Sequence, residues 1–194
     1  MQKVKMDYRE DINNALKVLS KGGIILYPTD TVWGLGCDAT NPEAVRKIYR
    51  IKERSERKSL IVLVNGPAML ERYVESIPEA AMSLIEVADK PLTVIYPAGR
   101  NLADGVCAKD GSAGIRICLE SFCNELITRF RRPVVSTSAN VSGMTLPATF
   151  HEIDSKITEA ADYVVKYRQD DLSKNVPSPV IRFYREGNFT ILRE

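Results

Sequence analysis

A cluster of basic residues directly precedes an apolar run in the first third of the chain. Residues 46–58 hold seven cations against two acidic residues, a local balance of +5 in a chain whose net charge is +2. Lys52, Arg54 and Lys58 lie where the chain must turn between a helix and a strand at residues 60–64. Cations held at such a joint suit phosphate or carboxylate groups. The alternative is a solvated helix end that complements its own dipole, and this segment alone leaves both open.

Two polar segments could supply neutral hydrogen-bond donors to such an anion. Residues 27–36 (YPTDTVWGLG) place Asp30 and Thr31 after an apolar strand, where α/β folds bind ligands. Residues 136–143 (STSANVSG) carry five short polar side chains after an apolar entry, among them Ser136, Ser138 and Asn140. Each segment could instead be structural, as a turn that satisfies its own backbone donors or as a helix cap.

Arg116 lies in the middle of an apolar strand pattern, GIRIC. Side chains alternate along a strand, so Arg116 faces away from the two flanking isoleucines. A charged side chain in that position either lies on a wet face or is paired with an anion. A bound carboxylate or phosphate would serve as that anion.

Several function classes are excluded or disfavoured by what the chain lacks. No GxxxxGK[ST] or GxSxG motif occurs, and the single histidine, His151, has no triad context. We expect His151 to have a surface or helix-capping role. The four cysteines form no CxxC pair, which favours reduced thiols and a cytoplasmic location. No signal peptide or membrane-length apolar run is visible, so we expect no membrane partner.

The periodicity of apolar residues predicts alternating helices and strands and therefore a layered α/β fold. Helices are predicted at residues 7–21, 42–50, 67–74, 78–88 and 122–131, and strands at 23–27, 60–64, 92–96, 114–118, 133–136, 163–166, 180–183 and 189–192. Gly187-Asn188 predicts a terminal hairpin, and hence a mixed rather than purely parallel sheet. Residues 29–40 are predicted as a loop. Residues 99–112 form a long, weakly patterned segment, which is typical of a lid or binding loop.

Taken together, these segments resemble the YrdC-like family of threonylcarbamoyl-AMP synthases. The resemblance is carried by PTDTVWGLGCDA (28–39), KER followed by KSLIVLV (52–64), GIR (114–116) and STSANVSG (136–143). Their order and spacing fit the family over nearly the whole chain. The resemblance implies one YrdC-like domain over residues 1–194, with an open, twisted mixed sheet, flanking helices and a basic concave cavity.

The resemblance also implies a reaction, in which L-threonine, bicarbonate and ATP give threonylcarbamoyl-AMP and pyrophosphate. That product feeds the N6-threonylcarbamoyladenosine modification of tRNA, with downstream tRNA-modification proteins as partners. Mg²⁺ is expected to arrive with ATP rather than in a protein cage. The implied catalytic residues are Lys52, Arg54, Ser138 and Asn140. The implied ATP-binding residues are Arg54, Lys58, Ser112, Ser138 and Arg193. The implied threonine-binding residues are Thr31, Leu63, Arg116, Ser136 and Ser178.

A non-catalytic alternative remains within the same fold. In a module of the YciO type, the basic face would bind tRNA or double-stranded RNA through phosphate and 2′-OH contacts. Such a groove needs cations but does not need neutral donors to converge beside them. We expect the basic joint and the Ser138–Asn140 turn to face each other across one hollow, with Lys52 and Arg54 outside the core.

Overall fold

Strands and helices alternate along the chain in the computed structural model, which describes residues 8–54 and 59–194. The helices are α1 (Arg9–Ser20), α2 (Pro42–Ile51), α3 (Pro67–Leu70), α4 (Glu79–Val87), α5 (Ser121–Phe130) and α6 (Ser155–Ala160), with a 3₁₀ turn at Phe150–Glu152. The strands are β1 (Ile25–Tyr27), β2 (Gly34–Gly36), β3 (Ile61–Val64), β4 (Thr93–Tyr96), β5 (Ala113–Ile117), β6 (Val134–Ser138), β7 (Tyr163–Val164), β8 (Val180–Phe183) and β9 (Phe189–Arg193).

The nine strands described form one mixed sheet in the order β7-β1-β2-β6-β3-β5-β4-β8-β9. β3 and β5 are parallel neighbours near its centre, and β6 pairs antiparallel with both β3 and β2. The predicted hairpin of β8 and β9 is confirmed, and its turn places Gly187 at φ +86°. The predicted mixed sheet is therefore confirmed, while the extent of the domain stays a prediction.

Helix α2 brings the basic segment to the sheet, and its start follows directly from the sequence. The side chain of Asn41 accepts hydrogen bonds from the backbone N–H groups of the first turn, and Pro42 occupies the first helical position. Ala44, Val45 and Ile48 are fully buried against the core. The helix ends at Ile51, so the following residues enter the connection that leads to β3.

Strand β2 was not predicted, because its sequence, Gly34-Leu35-Gly36, carries two residues that are poor strand formers. The packing explains why glycine is needed at Gly36. A Cβ there would lie 2.5 Å from a ring carbon of Tyr27 and 2.9 Å from the carbonyl oxygen of Val135. The close approach of β1, β2 and β6 overrides the low strand propensity of the segment. Helix α6 was also not predicted.

The segment at residues 99–112 is tied to the body of the protein. The hydroxyl of Tyr49 donates to the carbonyl of Gly105 at 2.7 Å, and Leu60 N–H donates to the carbonyl of Val106 at 3.1 Å. Val106 is fully buried. These bonds hold the segment against α2 and β3, so its geometry is that of a packed connection. Within the described ranges, no helix has the length and apolarity that crossing a bilayer requires.

Candidate active site

A cavity of about 350 Å³ opens where the β1–β2 connection, the start of β3 and the end of β6 meet. Its wall combines cationic, hydroxyl-bearing and apolar side chains. The cations are Arg54, Arg116 and Arg193, and the hydroxyls include those of Thr31, Ser136, Ser138 and Ser178. Trp33, Leu146 and Pro177 supply apolar surface. Arginines beside hydroxyl groups suit a ligand that carries several negative charges on a small body.

Strand pairing assembles this wall from distant parts of the sequence. Gly34 of β2 lies opposite Ser138 of β6, and Ile61 of β3 lies opposite Ser136. Ala139 N–H continues this ladder to the carbonyl of Trp33 at 3.1 Å. The polar segments at 27–36 and 136–143 are thereby placed side by side at the entrance to β3.

Lys52 joins the basic segment to the polar turn that follows β6. Its ammonium donates to the carbonyl oxygens of Ser138 and Asn140, the latter at 2.7 Å. The Asn140 Oδ1 and Ser138 Oγ atoms lie 3.4 and 3.5 Å from the same nitrogen. A backbone bond from Ser142 N–H to the carbonyl of Lys52, 2.9 Å long, closes the junction. The predicted juxtaposition of these two segments is confirmed.

The expectation that Lys52 lies outside the core was wrong. Its side chain is among the largest fully buried ones, with 2% exposure. Burial lowers the pKa of its ammonium to about 8, with a further contribution from the nearby charge of Arg54. The carbonyls of the β6 turn compensate for the lost hydration. Lys52 does not line the cavity, and its hydrogen bonds clamp the turn that carries Ser138.

The turn after β6 is held by its own side chains as well. The hydroxyl of Ser138 donates to Oδ1 of Asn140 at 2.6 Å, and the amide of Asn140 donates to the carbonyl of Met144 at 2.7 Å. Ser138 lines the cavity, whereas the polar atoms of Asn140 are engaged in the turn. Asn140 thus fixes the position from which Ser138 reaches the cavity.

Arg54 reaches the cavity from the end of the basic joint. One of its terminal nitrogens, Nη2, donates to the carbonyl of Ser59 at 2.6 Å, which sets the plane of the guanidinium. Its Nε is buried and has no acceptor among the described residues. Partial burial lowers the pKa of this guanidinium. A guanidinium that is held in this way and has an N–H donor without an acceptor is suited to bind an anionic group.

Of the two alternatives that the sequence left open for Arg116, a wet face or a paired anion, the structure shows the second. The anion is the carboxylate of Asp30 in the same chain. Arg116 Nη2 lies 2.9 Å from Oδ1 of Asp30, and both side chains are at most 5% exposed. The same nitrogen donates to Thr31 Oγ1 at 3.1 Å, and Nη1 reaches Ser178 Oγ at 3.4 Å. Nε of Arg116 is buried without an acceptor in the described ranges. The guanidinium is therefore fixed in place but is not saturated.

Hydrogen bonds of hydroxyl groups and of Arg193 fix the part of the cavity wall around Arg116, here called the Arg116 corner. Thr29 Oγ1 donates to the carbonyl of Val32 at 2.8 Å and accepts from Thr31 N–H at 3.0 Å, which is the turn role considered for this segment. Ser178 shares a bond with Thr93 at 2.7 Å. The exposed Arg193, at the cavity rim, donates through Nε to the carbonyl of Ser178 at 2.8 Å.

The same order of segments is found in known proteins. A family model for the Sua5/YciO/YrdC domain, described as "Telomere recombination", matches residues 17–194. The threonylcarbamoyl-AMP synthase of Coxiella burnetii is 35% identical over 138 residues, which cover 71% of this chain and 74% of that protein. The protein of the same name from Stenotrophomonas maltophilia is 32% identical over 181 residues, covering 91% and 95% of the two chains.

This chain belongs to the Sua5/YciO/YrdC family. The resemblance given by the motifs is therefore confirmed, and the names of the relatives favour the catalytic interpretation over the non-catalytic RNA-binding one. Solved structures of the family share the fold. P. abyssi Sua5 in complex with L-threonine superposes with a TM-score of 0.84 at 24% identity, over 97% of this chain and 55% of that one. E. coli YciO superposes with a TM-score of 0.82 at 22% identity, over 97% and 90%.

The Sua5/YciO/YrdC fold brings most of the predicted site residues to one cavity, but not all of them. Leu63 lies opposite Arg116 in the parallel pair of β3 and β5, yet it is fully buried and does not line the cavity. Ser112 donates its hydroxyl to Asp110 at 2.6 Å and does not line the cavity either. Lys58 lies outside the described residues. Lys52 and Asn140, assigned as catalytic, do not line the cavity either. The roles assigned to all of these residues stay predictions, as does the basic character of the cavity.

Asp30 was not among the site residues assigned from the sequence. It was considered as part of a ligand-binding or turn segment, whereas it is the ion-pair partner of Arg116 and accepts from Leu119 N–H at 3.2 Å. Its partner lies 86 positions along the chain, so spacing alone carries no signal for the pair. The one signal in the sequence was the position of Arg116 within an apolar strand pattern, which left a wet face and a paired anion both open.

Proposed function

We propose that this chain is an L-threonylcarbamoyladenylate synthase, a nucleotidyltransferase that acts on threonine. The amino nitrogen of L-threonine combines with bicarbonate to give a carbamate and water. A carbamate oxygen then attacks the α-phosphorus of ATP, and the bond to the pyrophosphate leaving group breaks. The products are threonylcarbamoyl-AMP and pyrophosphate. The substrate itself supplies the nucleophile, so neither a histidine base nor a covalent enzyme intermediate is required.

The observation that carries this proposal is the meeting of the basic joint and the β6 turn beside one cavity. Such a reaction depends on bringing several anions together and on neutralising charge at the phosphorus as it develops. Arg54 and Arg116 each retain a buried Nε without a protein acceptor in the described ranges. Donors held in place before the ligand arrives stabilise charge without reorganisation during the reaction.

In this proposal threonine binds at the Arg116 corner of the cavity. The free donors of Arg116 pair with the substrate carboxylate, and Asp30 keeps the guanidinium oriented. The hydroxyls of Thr31, Ser136 and Ser178 line the cavity and are the proposed contacts of the substrate amine and hydroxyl. Leu63 would contribute only as buried support behind Arg116.

ATP binds on the side of the cavity formed by the basic joint. Arg54 and Ser138 face the phosphates, with Lys52 and Asn140 holding the turn on which Ser138 lies. Arg193 reaches the same cavity from its rim. Lys58 and Ser112 remain predicted contributors to this subsite. Mg²⁺ is proposed to enter as part of the MgATP substrate.

The product passes its threonylcarbamoyl group to an adenosine of tRNA, and the downstream tRNA-modification proteins that do this are the proposed partners. Direct contact with tRNA or double-stranded RNA is a further proposal, and the cytoplasmic location expected from cysteine spacing stays a prediction.

The proposal is tested by pyrophosphate release from ATP in reactions that omit one substrate at a time. Release that requires both threonine and bicarbonate supports the synthase. Binding of an RNA duplex with no threonine-dependent release supports the non-catalytic alternative instead. Arg54→Gln is the informative variant: it is half-buried rather than core, so it is expected to reduce turnover while the melting temperature stays close to that of the parent.

A further inference from the structure

Arg168 has a backbone conformation that is uncommon for an arginine. Its φ of +65° lies in the left-handed region, where a Cβ atom crowds the neighbouring carbonyl oxygen and glycine is preferred. It lies in the connection between β7 and β8, which also carries Pro177 and Ser178 of the cavity wall. A strained backbone persists only where the surrounding structure determines it, and such residues cluster at functional sites. The contacts of the Arg168 side chain show what this conformation achieves.

The residues before Arg168 are held by a buried carboxylate of helix α1. Asp11, which is 7% exposed, accepts from the N–H groups of Lys166 and Tyr167 at 3.1 and 2.8 Å. It also accepts from the hydroxyl of Tyr163 in β7. These bonds fix the backbone that enters residue 168. The left-handed turn there therefore sets the direction in which the Arg168 side chain leaves the backbone.

The guanidinium of Arg168 joins two segments that contribute to the cavity wall. Its Nη1 donates to the carbonyl of Thr29 at 3.0 Å. Its Nε and Nη2 donate to Oδ2 of Asp171 at 3.0 and 2.9 Å. The other oxygen of that carboxylate, Oδ1, accepts from Ser173 N–H at 3.0 Å. One end of the guanidinium is thus fixed to the connection between β1 and β2, and the other end to the segment that leads to Ser178.

Thr29 connects Arg168 to the Arg116 corner. Thr29 Oγ1 accepts from Thr31 N–H at 3.0 Å and lies 3.1 Å from the Thr31 hydroxyl. That hydroxyl accepts from Arg116 at 3.1 Å. Asp30, between the two threonines, is the ion-pair partner of Arg116. A shift of the Thr29 carbonyl would therefore move both groups that orient the Arg116 guanidinium, although Arg168 does not itself line the cavity.

We propose that Arg168 is a positioning residue for threonine, which holds the connection between β1 and β2 in the geometry that the Arg116 corner requires. This role rests on the proposed function, because threonine is the ligand of that corner only in that proposal. Glycine or asparagine would adopt the left-handed conformation at lower cost. Neither has a cationic side chain that could donate to Thr29 and to Asp171 at once. The strain is thus compensated by bonds that end at the cavity wall.

The test combines threonine binding, measured by isothermal titration calorimetry without ATP, with the KM values of threonine and ATP in pyrophosphate release. Arg168→Asn tolerates the left-handed backbone and removes the guanidinium. Arg168→Lys keeps the positive charge and a donor on a side chain of similar length. The matched control is Arg131→Asn, because Arg131 has the same left-handed conformation at φ +60°, is exposed and caps the end of α5 outside the cavity wall.

We expect Arg168→Asn to raise both the Kd and the KM of threonine about tenfold, the effect of losing about one charge-assisted hydrogen bond, while the KM of ATP changes by less than about twofold. Arg168→Lys should recover most of the threonine affinity, and Arg131→Asn should match the parent for both substrates. Melting temperatures confirm that each variant is folded. All binding measurements are made well below the lowest of them, so a loss of stability alone does not reduce binding.

Three results would overturn the positioning role. Equal threonine affinity of Arg168→Asn and the parent would overturn it and leave the proposed function standing. An equal rise in the KM values of threonine and ATP would show a general structural role instead. A parent protein that does not bind threonine would overturn the proposed function and the positioning role together.

Discussion

Replacing Lys52 with methionine keeps the length of the side chain and removes the ammonium that clamps the β6 turn. Two charge-assisted hydrogen bonds are lost, to the carbonyls of Ser138 and Asn140, at about 1.5–3 kcal/mol each. The variant also avoids the cost of burying a charged ammonium, which is about 3 kcal/mol because burial lowers the pKa of Lys52 from 10.5 to about 8. We therefore expect a net loss of about 2 kcal/mol in the free energy of unfolding at neutral pH.

The same helix offers a matched control in Lys47→Met. Lys47 is exposed and donates one hydrogen bond, to the carbonyl of Gly22 at 3.0 Å. Its replacement is expected to cost less than about 1 kcal/mol. In a chain of this length, Lys52→Met then lowers the melting temperature by about 4–8 °C and Lys47→Met by less than about 4 °C. We also expect Lys52→Met to reduce kcat/KM about a hundredfold or more, because Ser138 is no longer held at the cavity.

The effect of pH separates this explanation from a simple packing defect. The folded-state pKa of Lys52 is depressed, so below about pH 8 the parent carries the full cost of the buried charge. As pH rises from about 7 to about 9.5, that cost falls by about 2 kcal/mol in the parent and does not change in Lys52→Met. Urea unfolding should show the stability gap between the two proteins widening over this range. A constant gap would contradict the lowered pKa of Lys52, and equal behaviour of Lys52→Met and Lys47→Met would refute the clamp.

Two further substitutions test the threonine corner and the sheet. Asp30→Asn breaks a buried ion pair and should lower the free energy of unfolding by about 3 kcal/mol. Added threonine should then raise the melting temperature of the variant more than that of the parent, because the threonine carboxylate replaces the anion lost beside Arg116. An equal response of the two proteins to threonine would argue against a carboxylate site there. Gly36→Ala should cost about 1–3 kcal/mol, because its Cβ would lie 2.5 Å from the ring of Tyr27. Gly66→Ala, which meets nothing within 4 Å, is the control, and equal melting temperatures of the two variants would contradict the packing argument.

Much of the fold could be predicted because local signals agree with the tertiary structure. Asn41-Pro42 starts α2 where the capping preferences place it, and the apolar run at residues 60–64 becomes β3. Strand β2 could not be predicted, because the reason for its glycines is the proximity of Tyr27 and Val135 in space. Strand propensity describes a segment in isolation, whereas pairing with neighbouring strands determines whether that segment joins the sheet.

The site residues also divide into those that the local sequence indicates and those that only the tertiary structure reveals. Hydroxyls and cations could be selected by type, and the structure brings Arg54, Ser138 and Arg116 to one cavity. The burial of Lys52 could not be predicted from its charged surroundings in the sequence, since its partners are carbonyl groups 86 and 88 positions away. The Asp30–Arg116 pair could not be predicted either, because the two residues lie 86 positions apart in the sequence.

The central claim, that this cavity joins threonine, bicarbonate and ATP, is tested most directly by mass spectrometry of the nucleotide product formed with ¹³C-labelled bicarbonate. We expect an adenylate that contains threonine and carries one ¹³C atom, in amounts equal to the pyrophosphate released. ATP cleaved to ADP and phosphate, or an adenylate without the label, would contradict it.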